Sequence, residues 1–177
     1  WLKNFAINKV IAHFKVDMSL AIEENPEKYK SFNHFFTREL KPEVRPLALG
    51  EQNIISPVDG AISQMTAIDN NTIIQAKGQS YSVEALLGDS EMARQFENGN
   101  FTTLYLSPRD YHRIHMPVDG TLKEMIHVPA ELYSVNPTTV ENVPALFARN
   151  ERVVCLFETP AGPMAMVFAS SEPEASF

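Results

Sequence analysis

With 177 residues, 44% hydrophobic and 21% charged, the chain can bury one sizeable core and has the composition of an ordinary globular protein. A net charge of −7 argues against a general nucleic-acid binder, which needs a basic face to release counterions. One cysteine, Cys155, excludes an intramolecular disulfide and a Cys-based zinc cluster, and no run reaches the roughly 18 apolar residues that span a bilayer.

The opening WLKNFAINKV has neither an initiator Met nor a signal-peptide cleavage pattern. The sequence is therefore expected to be a fragment or a processed chain. Leu2, Phe5, Ile7, Val10, Ile11 and Phe14 recur at roughly helical spacing among lysines, which predicts an amphipathic helix. A second such segment is expected near Ser19, and a third in NPEKYKSFNHFFTREL, which carries Phe32, Phe35 and Phe36. These stripes suit either a protein core or an interfacial membrane anchor, because headgroups favour aromatic and Leu faces flanked by Lys. Pro42 and Pro46 end the helical region.

From Asn53 onward the texture changes. NIISPVDGAISQMTAI, NTIIQAKGQSYSV, FTTLYL, GTLKEMIHV and ERVVCLFET are short β-branched and aromatic runs separated by Pro, Gly and Asn-Asn turns. One helix is expected to interrupt them, SVEALLGDSEMARQFENG, starting at Ser82 and stopping by Gly99. The predicted fold is α+β, with N-terminal amphipathic helices followed by a mostly antiparallel β core with one inserted helix.

The tetrapeptide PVDG occurs twice, at 57–60 and 117–120. Pro presets the first turn position, Asp bonds the local backbone and Gly accepts positive φ. Just before the second copy, His112 and His115 share a polar loop with Arg109, Asp110, Tyr111 and Arg113. A metal pair, a structural pair and a catalytic pair are all open to them. The neighbouring arginines disfavour a divalent cation, and no His-Glu-x-x-His pattern supports one. Catalysis wants a carboxylate to fix the tautomer of the imidazole and a nucleophile for it to deprotonate. Asp59 is a candidate orienter. The nucleophile is not visible, since none of Ser56, Ser63, Ser80, Ser107 or Ser134 lies in a Gly-x-Ser-x-Gly elbow.

FNHFFTREL, VRPL, SPVDGAIS, QAKGQSYSVEALLG, TTLYLSPRDYHRIHMPVDGTL and NVPALFARNERVVCLFET, in that order, resemble the phosphatidylserine decarboxylase proenzymes of Gram-negative bacteria over about residues 1–168. The resemblance implies a pyruvoyl-dependent carboxy-lyase that converts phosphatidylserine to phosphatidylethanolamine and CO2. In that family the precursor cuts itself before a Ser in a Leu-Gly-Ser-Thr motif. That Ser becomes the pyruvoyl group of a small α chain, and the larger N-terminal piece is the β chain. Asp59 and His115 map onto the acid and base of the self-cleavage triad, and His112 maps onto the decarboxylation step. No metal is expected.

The resemblance further implies a helical membrane-associating segment at 1–48, a catalytic β-rich core at 49–168, and a tail at 169–177 unlike the family. Expected partners are the α chain, phosphatidylserine and a membrane surface, with a homodimer compatible and no nucleic acid. The expected location is peripheral, on the cytoplasmic face of the bacterial inner membrane. No Leu-Gly-Ser-Thr occurs in the 177 residues. They are thus expected to be the β-chain portion, inactive alone, with a truncated lipid- or partner-binding remnant as the alternative. Without the α chain, the strands around RVVCLFET and GPMAMVF are expected to lack pairing partners and to invite aggregation.

Overall fold

A computed structural model describes residues 1–50 and 52–169. It is an α+β fold whose chain divides into two compact units, one formed by residues 1–61 and 106–118, the other by 62–105 and 119 onward. The sequence tail, apart from Ala169, lies outside the described residues.

In the first unit, helix α1 (Leu2–Phe14) ends at Lys15, whose left-handed backbone (φ 56°) turns the chain back. Ile7 and Val10 are buried with Val16, Tyr29 and Phe35, and Ile11 and Phe14 pack against that cluster. Trp1, Leu2 and Phe5 stay 94%, 65% and 62% exposed. The stripe is therefore split, its inner half built into a core and its N-terminal end bare. The Lys3 ammonium donates to the carbonyls of Glu27 and Tyr29, fastening α1 to the following loop.

The second expected helix is only a 3-10 turn at Met18–Leu20, capped by Asp17. The third reduces to α2 (Phe32–Phe36), with Ser31 accepting from the His34 N–H. Asp17 and Ser31 both bond the backbone two or three residues ahead, which favours short capped turns over long helices. Among the described residues, no helix is long and apolar enough to cross a membrane.

The second unit holds the sheets. Strand β1 (Ala61–Ala67) pairs with β4 (Asn100–Tyr105), and β2 (Thr72–Ala76) forms an antiparallel hairpin with β3 (Gln79–Ser82). Strands β5 (Thr121–Val128), β6 (Arg152–Thr159) and β7 (Gly162–Ala169) make an antiparallel sheet with β6 in the centre. RVVCLFET therefore has a partner on each side, contrary to expectation, because the Thr159–Gly162 turn folds β7 back onto it. Bare apolar side chains on the strands lie instead at Ile62 and Met65 of β1, Ile74 of β2, and Leu122 and Met125 of β5.

The expected single helix after Ser82 is two. Ser82 caps α3 (Val83–Leu87) by accepting from Ala85 N, but Gly88 takes a left-handed φ of 74° and ends it. Asp89 then caps a separate α4 (Ser90–Arg94). A side chain on Gly88 would need a backbone conformation that costs an L-residue roughly 1–2 kcal/mol, and its Cβ would stand 3.2 Å from Val128.

Two further short helices, α5 (Pro137–Asn142) and α6 (Leu146–Arg149), were not expected. Asn136 followed by Pro137 is an N-cap with a first-turn proline, a signal present in the sequence. Buried Gln75 ties this segment to β2, its Nε2 donating to Val140 O and Val143 O while its Oε1 accepts from Leu146 N at 2.8 Å. Replacing Gln75 with Leu strands two carbonyls and one N–H. The loss expected for the full-length protein is about 2–4 kcal/mol, read as a lower urea midpoint; an unchanged midpoint would show that water replaces the amide.

Candidate active site

All three sequence-predicted site residues belong to the first unit. Ile55 N donates to Pro117 O at 3.0 Å and His115 N to Pro57 O at 2.8 Å. These two bonds lay residues 55–57 and 115–117 alongside each other in opposite directions. The repeated turn therefore has a structural meaning: the start of one copy is held against the start of the other. Asp59 on the first copy is thereby brought near the loop that precedes the second. The copies are not equivalent, because Gly60 uses a φ of 148° and Gly120 is not among the positive-φ glycines.

The loop from Ser107 to His115 is fastened at several points. Asp110 accepts from Ser107 N at 2.7 Å. Arg38 donates from Nη2 to the carbonyls of Arg109 (2.9 Å) and Asp110 (3.3 Å), and Arg113 donates to Thr37 O and pairs with Glu39. The FFTREL stretch thus serves as a cradle for the histidine loop, a role that the sequence reading missed. The Phe35-Phe36-Thr37-Arg38-Glu39 run was visible in the sequence, but the burial of Arg38 was not.

His112 is half-buried. Its ring lies 3.9 Å from that of Phe36, and Nδ1 donates to the Asp110 carbonyl at 3.0 Å. The tautomer is thereby fixed, with Nε2 as the nitrogen left to exchange a proton. Burial pushes the His112 pKa down, the bond to Asp110 only partly offsetting it. The imidazole is accordingly neutral over most of the neutral range.

His115 is exposed and stacks on Tyr111, with Nε2 3.0 Å from the phenol oxygen. Burial raises the Tyr111 pKa, which keeps the phenol protonated. The phenol can donate to Nε2 or accept from it according to the His115 tautomer, and only the first case leaves an Nδ1–H for a carboxylate to orient. The Asp59 carboxylate itself is gripped by Arg45, Nε to Oδ1 at 2.7 Å and Nη2 to Oδ2 at 2.5 Å. The Asp59 bond in turn raises the Arg45 pKa. Asp59 and His115 share a neighbourhood without a hydrogen bond between them, each holding another partner. No group of three His, Cys, Asp or Glu side chains converges as a metal cage among the described residues.

Residues 32–171 match the family model described as phosphatidylserine decarboxylase. The chain is 56% identical over 177 residues to the phosphatidylserine decarboxylase proenzyme of Idiomarina loihiensis, covering 99% of this chain and 61% of the relative. The proenzyme of Azotobacter vinelandii is 57% identical over 172 residues (97% and 60%), and that of Delftia acidovorans 58% over 171 (96% and 60%). The chain thus spans about three-fifths of the length of these relatives. The family expected from the motifs is the family found, and the chain belongs to the phosphatidylserine decarboxylases.

Proposed function

We propose that the chain is the β-chain portion of a phosphatidylserine decarboxylase, which makes phosphatidylethanolamine and CO2 once joined to the α segment of its proenzyme. The observation that carries this reading is the pairing of residues 55–57 with 115–117, which gathers an acid and two histidines of different character in one unit. Asp59 orients and charge-balances His115, and His115 takes the proton of the Ser in the remaining part of the proenzyme and hands it to the amide nitrogen, so that the Ser oxygen bonds the preceding carbonyl as the C–N bond breaks. Elimination of the resulting ester frees the β-chain carboxylate, and water replaces the nitrogen, which leaves as ammonia.

The pyruvoyl group left by that cleavage supplies an electron-accepting carbonyl for loss of CO2. The residues present fit such a group: Nδ1 of His112 is locked by Asp110, which leaves Nε2 to deliver a proton where the carboxylate has left. Phe36, packed on His112, shields that nitrogen's ring from water. The test is CO2 release from phosphatidylserine vesicles by a protein of the relatives' full length. Absence of release from a correctly cleaved protein would overturn the reading.

The segment 1–48, only partly helical, associates peripherally with the membrane, at the cytoplasmic face of the inner membrane, through the bare end of α1. Ile11 and Phe14 belong to the protein core, so the lipid-facing set is Trp1, Leu2 and Phe5. A fully buried Phe or Leu side chain is worth roughly 1.5–3 kcal/mol, so losing two partly inserted ones costs at least about tenfold in partitioning. Replacing Leu2 and Phe5 with Ser should therefore reduce co-sedimentation with anionic vesicles at least tenfold while the protein stays folded. Phe14→Ser should instead lower stability. Unchanged co-sedimentation of the Leu2/Phe5 variant would remove α1 from the membrane contact.

A further inference from the structure

Within the first unit lies a cavity of about 160 Å³ into which four cationic side chains converge: Lys15, Arg38, Arg45 and Arg109. Arg38 is the unusual one. It is only 3% exposed, yet neither Nε nor Nη1 has a hydrogen-bond acceptor. Its Nη2 bonds carbonyl oxygens only, so no carboxylate offsets its charge at contact distance. A buried cation with idle donors is costly unless something anionic meets it.

Each acid around the cavity has a partner within the chain. Oδ1 of Asp17 accepts from both N and Oγ of Ser19, Asp59 gives both oxygens to Arg45, and Oδ2 of Asp110 accepts from Ser107 N, which leaves Oδ2 of Asp17 and Oδ1 of Asp110 at the cavity without a hydrogen bond among the described residues. Lys15, by contrast, has no ion-pair partner among the described residues, and Arg109 reaches Asp110 only at 3.8 Å. The buried groups left idle are the Nε and Nη1 donors of Arg38, and the four cations of the lining outnumber its three carboxylates. A cavity of this size is well below the roughly 300 Å³ that encloses a drug-sized molecule, so it takes one small group. A fork of N–H donors with further cations beside it is the chemistry that recognises a phosphoryl oxyanion.

We propose that this cavity binds a phosphoryl oxyanion, held by Arg38 with Lys15 and Arg109. Two sources carry that chemistry, the phosphodiester of a phospholipid headgroup and free phosphate. Only the first rests on the reading of the chain as part of a lipid decarboxylase. Arg38 also fastens the histidine loop through Arg109 O and Asp110 O, so an anion on its idle edge would sit beside that loop without displacing the bonds that hold it.

The test is calorimetric titration of the full-length protein with inorganic phosphate and with glycerophosphoserine, the water-soluble deacylated headgroup, at constant ionic strength. Saturable binding is expected, weakened several-fold by Lys15→Ala or Arg109→Ala and about tenfold or more by Arg38→Gln. Tighter binding of glycerophosphoserine identifies the lipid headgroup as the source, and tighter binding of inorganic phosphate identifies the free anion. Should Arg38→Gln fail to fold, the two exposed positions decide. No saturable binding, or binding indifferent to Lys15→Ala and Arg109→Ala, overturns the site. Failure of the decarboxylase reading looks different: variant-sensitive anion binding would persist in a protein that releases no CO2 from phosphatidylserine.

Discussion

In a proenzyme of the relatives' full length, Asp59→Asn and His115→Ala are each expected to leave the precursor as a single uncut band. The drop in self-cleavage should be on the order of 10³-fold or more, the scale on which a hydrolytic triad loses activity when its orienting acid or its base is removed. On the proposed roles the two variants fail for different reasons. His115→Ala removes the base. Asp59→Asn keeps the shape of the side chain but removes the charge that steadies the imidazolium. Before either can act, Asp59 must share or exchange its Arg45 contact, and His115 must turn from Tyr111. The Arg45 side chain is 48% exposed and that of Asp59 23%. The pair is bidentate, but nearly half of the Arg45 side chain faces solvent, which screens the attraction and lets the contact exchange. Arg45→Ala therefore separates the pair from the triad: it retains the Asp59 carboxylate for His115, and cleavage should persist. Normal two-chain processing of Asp59→Asn or His115→Ala would remove these residues from the self-cleavage chemistry.

Which parts were legible from the sequence follows from how local each signal is. The β runs from Thr72 to Thr159 were visible because alternation and turn residues act over a few positions, and Ser82 announced its helix as an N-cap does. The division into α3 and α4 was also written locally, in Gly88-Asp89, but a continuous apolar pattern across it masked the break. The split of the α1 stripe was not legible, because which side of an amphipathic helix meets protein depends on Val16, Tyr29 and Phe35 arriving from later in the chain. His112 and His115 could be singled out by composition, and Asp59 by the repeat. Their present partners could not. Arg45 on Asp59, Tyr111 on His115, and Phe36 on His112 come from three different positions, and only the family resemblance gave the histidines separate roles.

His112→Ala in the same full-length protein should still cut itself, yet lose decarboxylation by about 10²–10⁴-fold, the usual contribution of a positioned acid or base. The pH profile makes this more specific. Delivering a proton requires the charged imidazolium, and burial against Phe36 has lowered the His112 pKa below its ordinary 6.5. If proton delivery limits the rate, decarboxylation is fullest at pH values below that lowered pKa and falls as pH rises through it. An imidazole acting as a base would give the opposite slope. Phe36→Leu uncovers part of the ring, relieves the desolvation and raises the pKa, so the falling limb should move to higher pH. The Nδ1 bond to the Asp110 carbonyl is left in place, which keeps the proton-delivering nitrogen the same. A displaced limb with cleavage intact is a signature that simple loosening of the fold does not produce. Wild-type turnover by cleaved His112→Ala, or a rate that climbs with pH, would show that the proton comes from another group.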